Sequence, residues 1–91
     1  KQMTTPNERR IVWMQQRLQE KLTPSTLNII DDSAQHVGHE GAKGGAGHFT
    51  VEIASPMFEG KTLIECHRMV YDCLVDAIPQ EIHALKIKCN L

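Results

Sequence analysis

The octet His48-Phe49-Thr50-Val51-Glu52-Ile53-Ala54-Ser55 puts Phe49, Val51 and Ile53 on one face and Thr50 and Glu52 on the other. A period of two is that of a strand with one face against a core. After it, Ser55-Pro56-Met57-Phe58-Glu59-Gly60 has the composition of a turn, and Lys61 to Ile78 repeats its apolar residues with a helical period. The apolar arc of that helix holds Leu63, Ile64, His67, Val70, Tyr71, Leu74, Val75 and Ile78, with Glu65, Arg68, Asp72 and Asp76 opposite. Pro79 breaks it. Ile82 to Cys89 then forms a last strand, Leu85 and Ile87 inward and Lys86 and Lys88 outward. Strand, helix and strand in that order demand a crossover, so the last two strands pair in parallel.

Toward the amino end, Asp32 to Gly47 holds five of the six glycines and only Val37 among large apolar residues. Such a loop is long for so small a domain, and loops of this kind are usually functional or disordered. Leu27 to Asp31 is a short strand before it, making a hairpin with an oversized tip. From Pro6 to Leu22, Ile11, Met14, Leu18 and Leu22 form the stripe of a first helix. Thr5 is placed to cap it, with Pro6 at the first helical position and Glu8 three residues after the cap. Residues 1–5 are expected to fray, with Met3 as the expected natural start and the residues before it foreign, leaving residues 6–91 as the expected folded unit. The order α-β-β-α-β gives an α+β domain of two layers: a three-stranded mixed sheet with both helices on one face.

Ninety-one residues make one domain and bury roughly 64% of the unfolded surface by area scaling. A hydrophobic content of 41% against 23% charged is that of a globular chain, and a net charge of −1 removes the case for nucleic-acid binding by bulk charge. No run approaches the roughly 18 apolar residues of a membrane span. Cys66 and Cys73 share one helix at a separation of about 10.5 Å, beyond disulfide reach, so they read as small buried apolar side chains. Three cysteines, an odd number, fit a reducing compartment, and the cytoplasm is expected.

Catalysis finds no footing. No nucleotide-binding glycine fingerprint follows the first strand, and adjacent Cys66 and His67 diverge by about 100° on their helix and cannot act as nucleophile and base. Two GxxG spellings, Gly38-His39-Glu40-Gly41 and Gly41-Ala42-Lys43-Gly44, lie between strands, whereas the phosphate-clamping loop they mimic joins helices. Histidine is the richer signal, with His36, His39, His48, His67 and His83. His83 opens the last strand with the parity of Leu85 and Ile87, at a mouth where its ring is half exposed. The glycine loop, carrying His36 and His39, joins the same end of the sheet. Imidazoles there suit zinc, copper or iron, and without a cysteine in the loop they make an incomplete site that a partner would finish. His67, near the centre of the helical arc, reads as a hydrogen-bonded core residue, and His48 as structural or solvated.

Asp31-Asp32-Ser33-x-x-His36, Gly47-His48-Phe49, Ser55-x-x-Phe58-x-Gly60, His67-Arg68-Met69-Val70-Tyr71 and Ile82-His83-Ala84-Leu85 together resemble the BolA family, from about Arg10 to Cys89. The resemblance is to its bacterial, histidine-loop type. It implies a KH-like fold of the second type and a heterodimer with a monothiol glutaredoxin. That pair holds a bridging [2Fe–2S] cluster, with the glutaredoxin cysteine and glutathione as thiolates. On this side the implied ligands are His83 and His36, with His39 as an alternative from the loop. Iron–sulfur trafficking or iron and redox sensing is the implied role; alone, the protein is expected to carry no cluster and to be a monomer or weak dimer. The family is also credited with DNA-binding regulation of stress response and cell morphology, for which Lys61, Arg68, Lys86 and Lys88 are the candidate contacts. Where the family usually has Arg-His-Arg, this chain has Cys66-His67-Arg68, one cation fewer for such a surface.

Overall fold

The first helix, α1 (Pro6–Leu22), begins on Thr5. The Thr5 hydroxyl accepts the Glu8 N–H at 3.1 Å while the Glu8 carboxylate accepts the Thr5 N–H at 2.8 Å, so the capping box forms as the sequence predicts. A computed structural model describes residues 5–33 and 46–90 of the chain. Met14, Leu18 and Leu22 form the buried stripe of α1, which ends at Thr23 in the left-handed region at φ 41°.

Strands β1 (Thr26–Asp31) and β2 (Gly47–Ala54) pair antiparallel, with Leu27 opposite Ile53 and Ile29 opposite Val51. The last strand, β3 (Ile82–Asn90), lies on the other side of β2 and parallel to it. Phe49, Val51 and Ile53 are almost wholly buried in one core with the stripe of α1 and with Cys66, Val70 and Leu74 of the second helix. The α-β-β-α-β order, the two layers and the mixed sheet are therefore those expected from the pattern. Among the described residues no helix is long and apolar enough to cross a membrane.

The second helix is shorter than its periodicity and turned about its axis. It runs as α2 (Leu63–Leu74) and tightens into a 3₁₀ turn at Val75–Ala77. Its start is fixed by a second capping box, Thr62 with Glu65. Cys66, Val70, Cys73, Leu74 and Ala77 face the core, whereas Leu63, Ile64, Tyr71 and Val75 are exposed and His67 is half-buried. The expectation of a core His67 is thus corrected. Cysteine and alanine are small, so the face centred on Val70 lets the helix approach the sheet closely and leaves the bulkier flank outside.

A second correction concerns β3. Gly47 pairs with Ile82 but His48 pairs with Ala84, so His83 is an additional residue with no counterpart on β2. Strict alternation would force a choice between burying Ile82 and burying Leu85, three positions apart. The bulge resolves it: Ile82 is 1% exposed, Leu85 and Ile87 pack against the core, and His83 is turned out to the exposed side. His83 therefore does not share the parity of Leu85 and Ile87. Gly47, opposite, has no room for a side chain, since a Cβ there would lie 2.2 Å from the Phe49 ring.

Candidate metal centre

The end of β1, the start of β2, the start of β3 and the first turn of α1 meet at one end of the domain. Side chains and backbone of this corner are tied together. The Asn7 amide donates to Asp31 Oδ2 at 3.2 Å and to Ser33 Oγ at 3.0 Å, and the Ser33 N–H donates to Asp31 Oδ1 at 2.9 Å. The His48 N–H donates to Ser33 Oγ at 3.1 Å, and the His48 carbonyl accepts the Asp32 N–H at 2.7 Å. Thr50 donates its hydroxyl to the Asp32 carboxylate, and the Gly47 N–H donates to the Glu81 carbonyl at 3.0 Å. Partial burial pushes the Asp31 carboxyl up, but the Ser33 N–H and hydroxyl, the Asn7 amide and the nearby His48 outweigh it and hold it below its ordinary value.

On this frame two imidazoles meet. His48 is 4% exposed, His83 is exposed beside it, and their ring centroids lie 5.2 Å apart with the planes tilted by 51°. The buried ring limits the space available to the exposed one, so His83 presents an imidazole whose backbone is set by a bulge and whose ring is backed by a neighbour. The parallel pairing of β2 and β3 places both at strand starts. The alternation of β2 marked His48 only as a polar-face residue, and the bulge that turns His83 toward it leaves no trace in the period.

His36 and His39, with both GxxG spellings, lie outside the described residues. Among the described residues no group of three or more His, Cys, Asp or Glu is arranged to hold a metal ion. His48 and His83 thus form a pair that is less than a full ligand set. His67 sits on the helix layer and takes no part in this corner. Of the candidate nucleic-acid contacts, Lys86 and Lys88 extend from the sheet face opposite the helices, Lys88 at the register position of Glu52. Arg68 is exposed on α2, and Lys61 precedes α2 in a cavity it shares with Asn90. Arg68 and the two strand lysines are on different faces, so the four do not make one basic surface.

Residues 18–90 match the family model described as BolA-like protein. The chain is 39% identical over 79 residues to SufE-like protein 1, chloroplastic/mitochondrial, of Arabidopsis thaliana, covering 81% of this chain and 21% of that protein. It is 43% identical over 83 residues to Protein BOLA1, chloroplastic, of the same organism, covering 88% of this chain and 52% of that one. The chain therefore spans about a fifth and about half of the length of these two relatives. Among solved structures it resembles the BolA domain of SufE1 from Arabidopsis thaliana with a TM-score of 0.76 and 36% identity, over 89% of this chain and 90% of that one. BolA1 from Arabidopsis thaliana gives a TM-score of 0.72 and 36% identity, over 96% and 92%.

Proposed function

The chain belongs to the BolA-like family, and from that premise we propose that it is an adaptor that pairs with a monothiol glutaredoxin to hold a bridging [2Fe–2S] cluster. The role is iron–sulfur trafficking or iron and redox sensing, by binding and not by catalysis, in the reducing cytoplasm. One observation carries the reading: the exposed imidazole of His83, lifted out of the strand by a bulge and backed by His48.

The donor chemistry fits. A neutral imidazole nitrogen is a ligand for iron, and a set that stops at one or two imidazoles suits a metal group that a second protein also holds. When bound, the cluster would supply electron-transfer and cluster-donation chemistry, at a potential raised by exchange of a thiolate for imidazole. His83 is the residue of this chain that would reach it. His48 restricts the ring of His83, and the backbone of His48 is in turn held by Ser33 and Asp32. His36, with His39 as the alternative, remains the proposed second ligand. The fusion of a BolA domain in a SufE-like relative is a further support for placing this domain among proteins that work with others. Regulation through DNA has the weaker support, because the candidate cations are divided between the sheet face and the helix layer.

The test mixes the protein with a monothiol glutaredoxin, glutathione, iron and sulfide, and reads the heterodimer by size and visible absorption. Assembly of a spectrally distinct heterodimer is expected, its loss on His83→Ala, and a severe loss on joint substitution of His36 and His39. A His83→Ala protein that gives the same heterodimer and spectrum overturns the reading.

A further inference from the structure

The sheet is open at β3. Its order is β1-β2-β3, so β3 is hydrogen-bonded along one side only, and among the described residues no backbone hydrogen bond reaches its other side. At nine residues β3 is long for an edge strand, and its outer N–H and C=O groups are a ready template for one strand more.

The helix layer overhangs that edge. α2 packs on β3 and against α1, meeting α1 where Arg17 donates to the Cys73 carbonyl and the Asp76 carboxylate. At about 100° per residue, Ile64, Tyr71 and Val75 fall on the opposite flank of the helix, away from α1 and above the free edge. All three are exposed, Ile64 to 64%. Beneath them Leu85 and Ile87, the inward residues of β3, pack against the core yet stay partly open. Strand floor and helix wall together make an apolar groove along the edge.

The other face of the same edge is basic. Lys86 and Lys88 are exposed there, and among the described residues neither is in an ion pair. Glu52, at the register position of Lys88, accepts from the Asn28 amide at 3.0 Å instead. These two cations also argue against a second copy as the occupant. An antiparallel pair of β3 strands centred on this stretch would set lysine against lysine.

We propose that the β3 edge takes up an extended segment of a partner protein in which apolar and acidic residues alternate, as a fourth strand of the sheet. Main-chain hydrogen bonds to β3 hold it, its apolar side chains cover Leu85, Ile87 and Tyr71, and the acidic ones between them meet Lys86 and Lys88. The inference goes beyond the adaptor reading and stands apart from it, since no histidine takes part.

The purified protein, without iron, sulfide or glutaredoxin, is titrated against a fluorescein-labelled peptide of sequence Thr-Val-Glu-Val-Glu-Val-Thr and read by anisotropy. Saturable binding is expected, with slowed amide hydrogen exchange along β3. The same peptide with Lys for Glu should bind about ten-fold more weakly, because two opposite-charge cross-strand pairs become like-charge pairs. The double variant Lys86→Glu/Lys88→Glu should reverse that preference, a gain that a misfolded protein could not produce. Unsaturable or equal binding of the two peptides overturns the proposal, as does a variant with the parent's preference or unchanged exchange along β3. A dimer of the protein alone that the acidic peptide leaves intact overturns it in favour of a second copy.

Discussion

Gly47 is where a single methyl group matters most. A Cβ at this position would come within 2.2 Å of Phe49 Cε2 and 2.8 Å of Asn7 Oδ1, in a place where a buried ring and the amide that ties α1 to Asp31 leave no slack. Gly47→Ala is expected to cost about 1–3 kcal/mol through overpacking, read as a lower denaturation midpoint at unchanged slope. At Cys89 the environment acts on chemistry instead of shape. Burial, with Cys66 nearby, pushes the thiol from its ordinary 9.0 up to about 11. At pH 8 that leaves roughly a hundredth of the usual thiolate, so native Cys89 should be alkylated roughly 100-fold more slowly than in denaturant. Rapid labelling of the native protein would contradict this. Burial of Cys66 and Cys73 was legible from residue type, since two thiols too far apart to be bridged behave as small apolar side chains. Burial of His48 was not, because the period of a strand says which residues share a face and nothing about how open that face is.

Among the elements, β3 shows how a local irregularity makes a site. Ile82 and Leu85 are both apolar and three apart, a spacing that the alternation of a regular strand places on opposite faces. One additional residue between them restores inward packing for Ile82, Leu85 and Ile87, and that residue is His83. The same reasoning separates two variants. His83→Ala keeps the bulge and removes an exposed ring, so its stability should stay within about 0.5 kcal/mol of the parent. Deletion of His83 leaves Ile82 and Leu85 two positions apart, so plain alternation still turns both inward, and this variant should lose the bulge and the imidazole while staying within about 1 kcal/mol of the parent. Urea denaturation of the pair measures both, and a loss of several kcal/mol on deletion would show that the core requires the additional residue itself. Element order and type were readable because α1, β2 and α2 each carry several apolar residues in register with their period. The rotation of α2 was not, since its apolar arc is wider than the face that a three-stranded sheet can cover. Which part is buried depends on residue size, and Cys66, Cys73 and Ala77 settle it.

Across the whole molecule, the two layers meet through the apolar core and, at the histidine corner, through Asn7, Asp31, Ser33 and the backbone of His48. The pairing of Asn7 with partners 24 and 26 positions away is invisible to any periodicity, which is why the sequence marked the corner by its histidines and not by the polar frame beneath them. That frame makes stability depend on pH. The Asp31 carboxyl lies below its ordinary 3.8 in the folded protein, so as pH falls the unfolded chain takes up this proton first. The unfolded state then binds more protons than the folded one, and stability must fall with pH. The contribution is complete above the ordinary carboxylate range and is lost as pH descends from about 4 through the lower folded value. Glu65 is depressed too, first by the Thr62 N–H of its capping box, and adds in the same direction. Asp31→Asn keeps the shape and one acceptor oxygen but no charge. It should be less stable than the parent at pH 7 and show a flatter dependence between about pH 5 and pH 2. The two proteins converge at the acid end, where the parent carboxyl is protonated as well. Urea midpoints collected across that range test the argument, and parallel curves for parent and variant would remove Asp31 from the acid response of the fold.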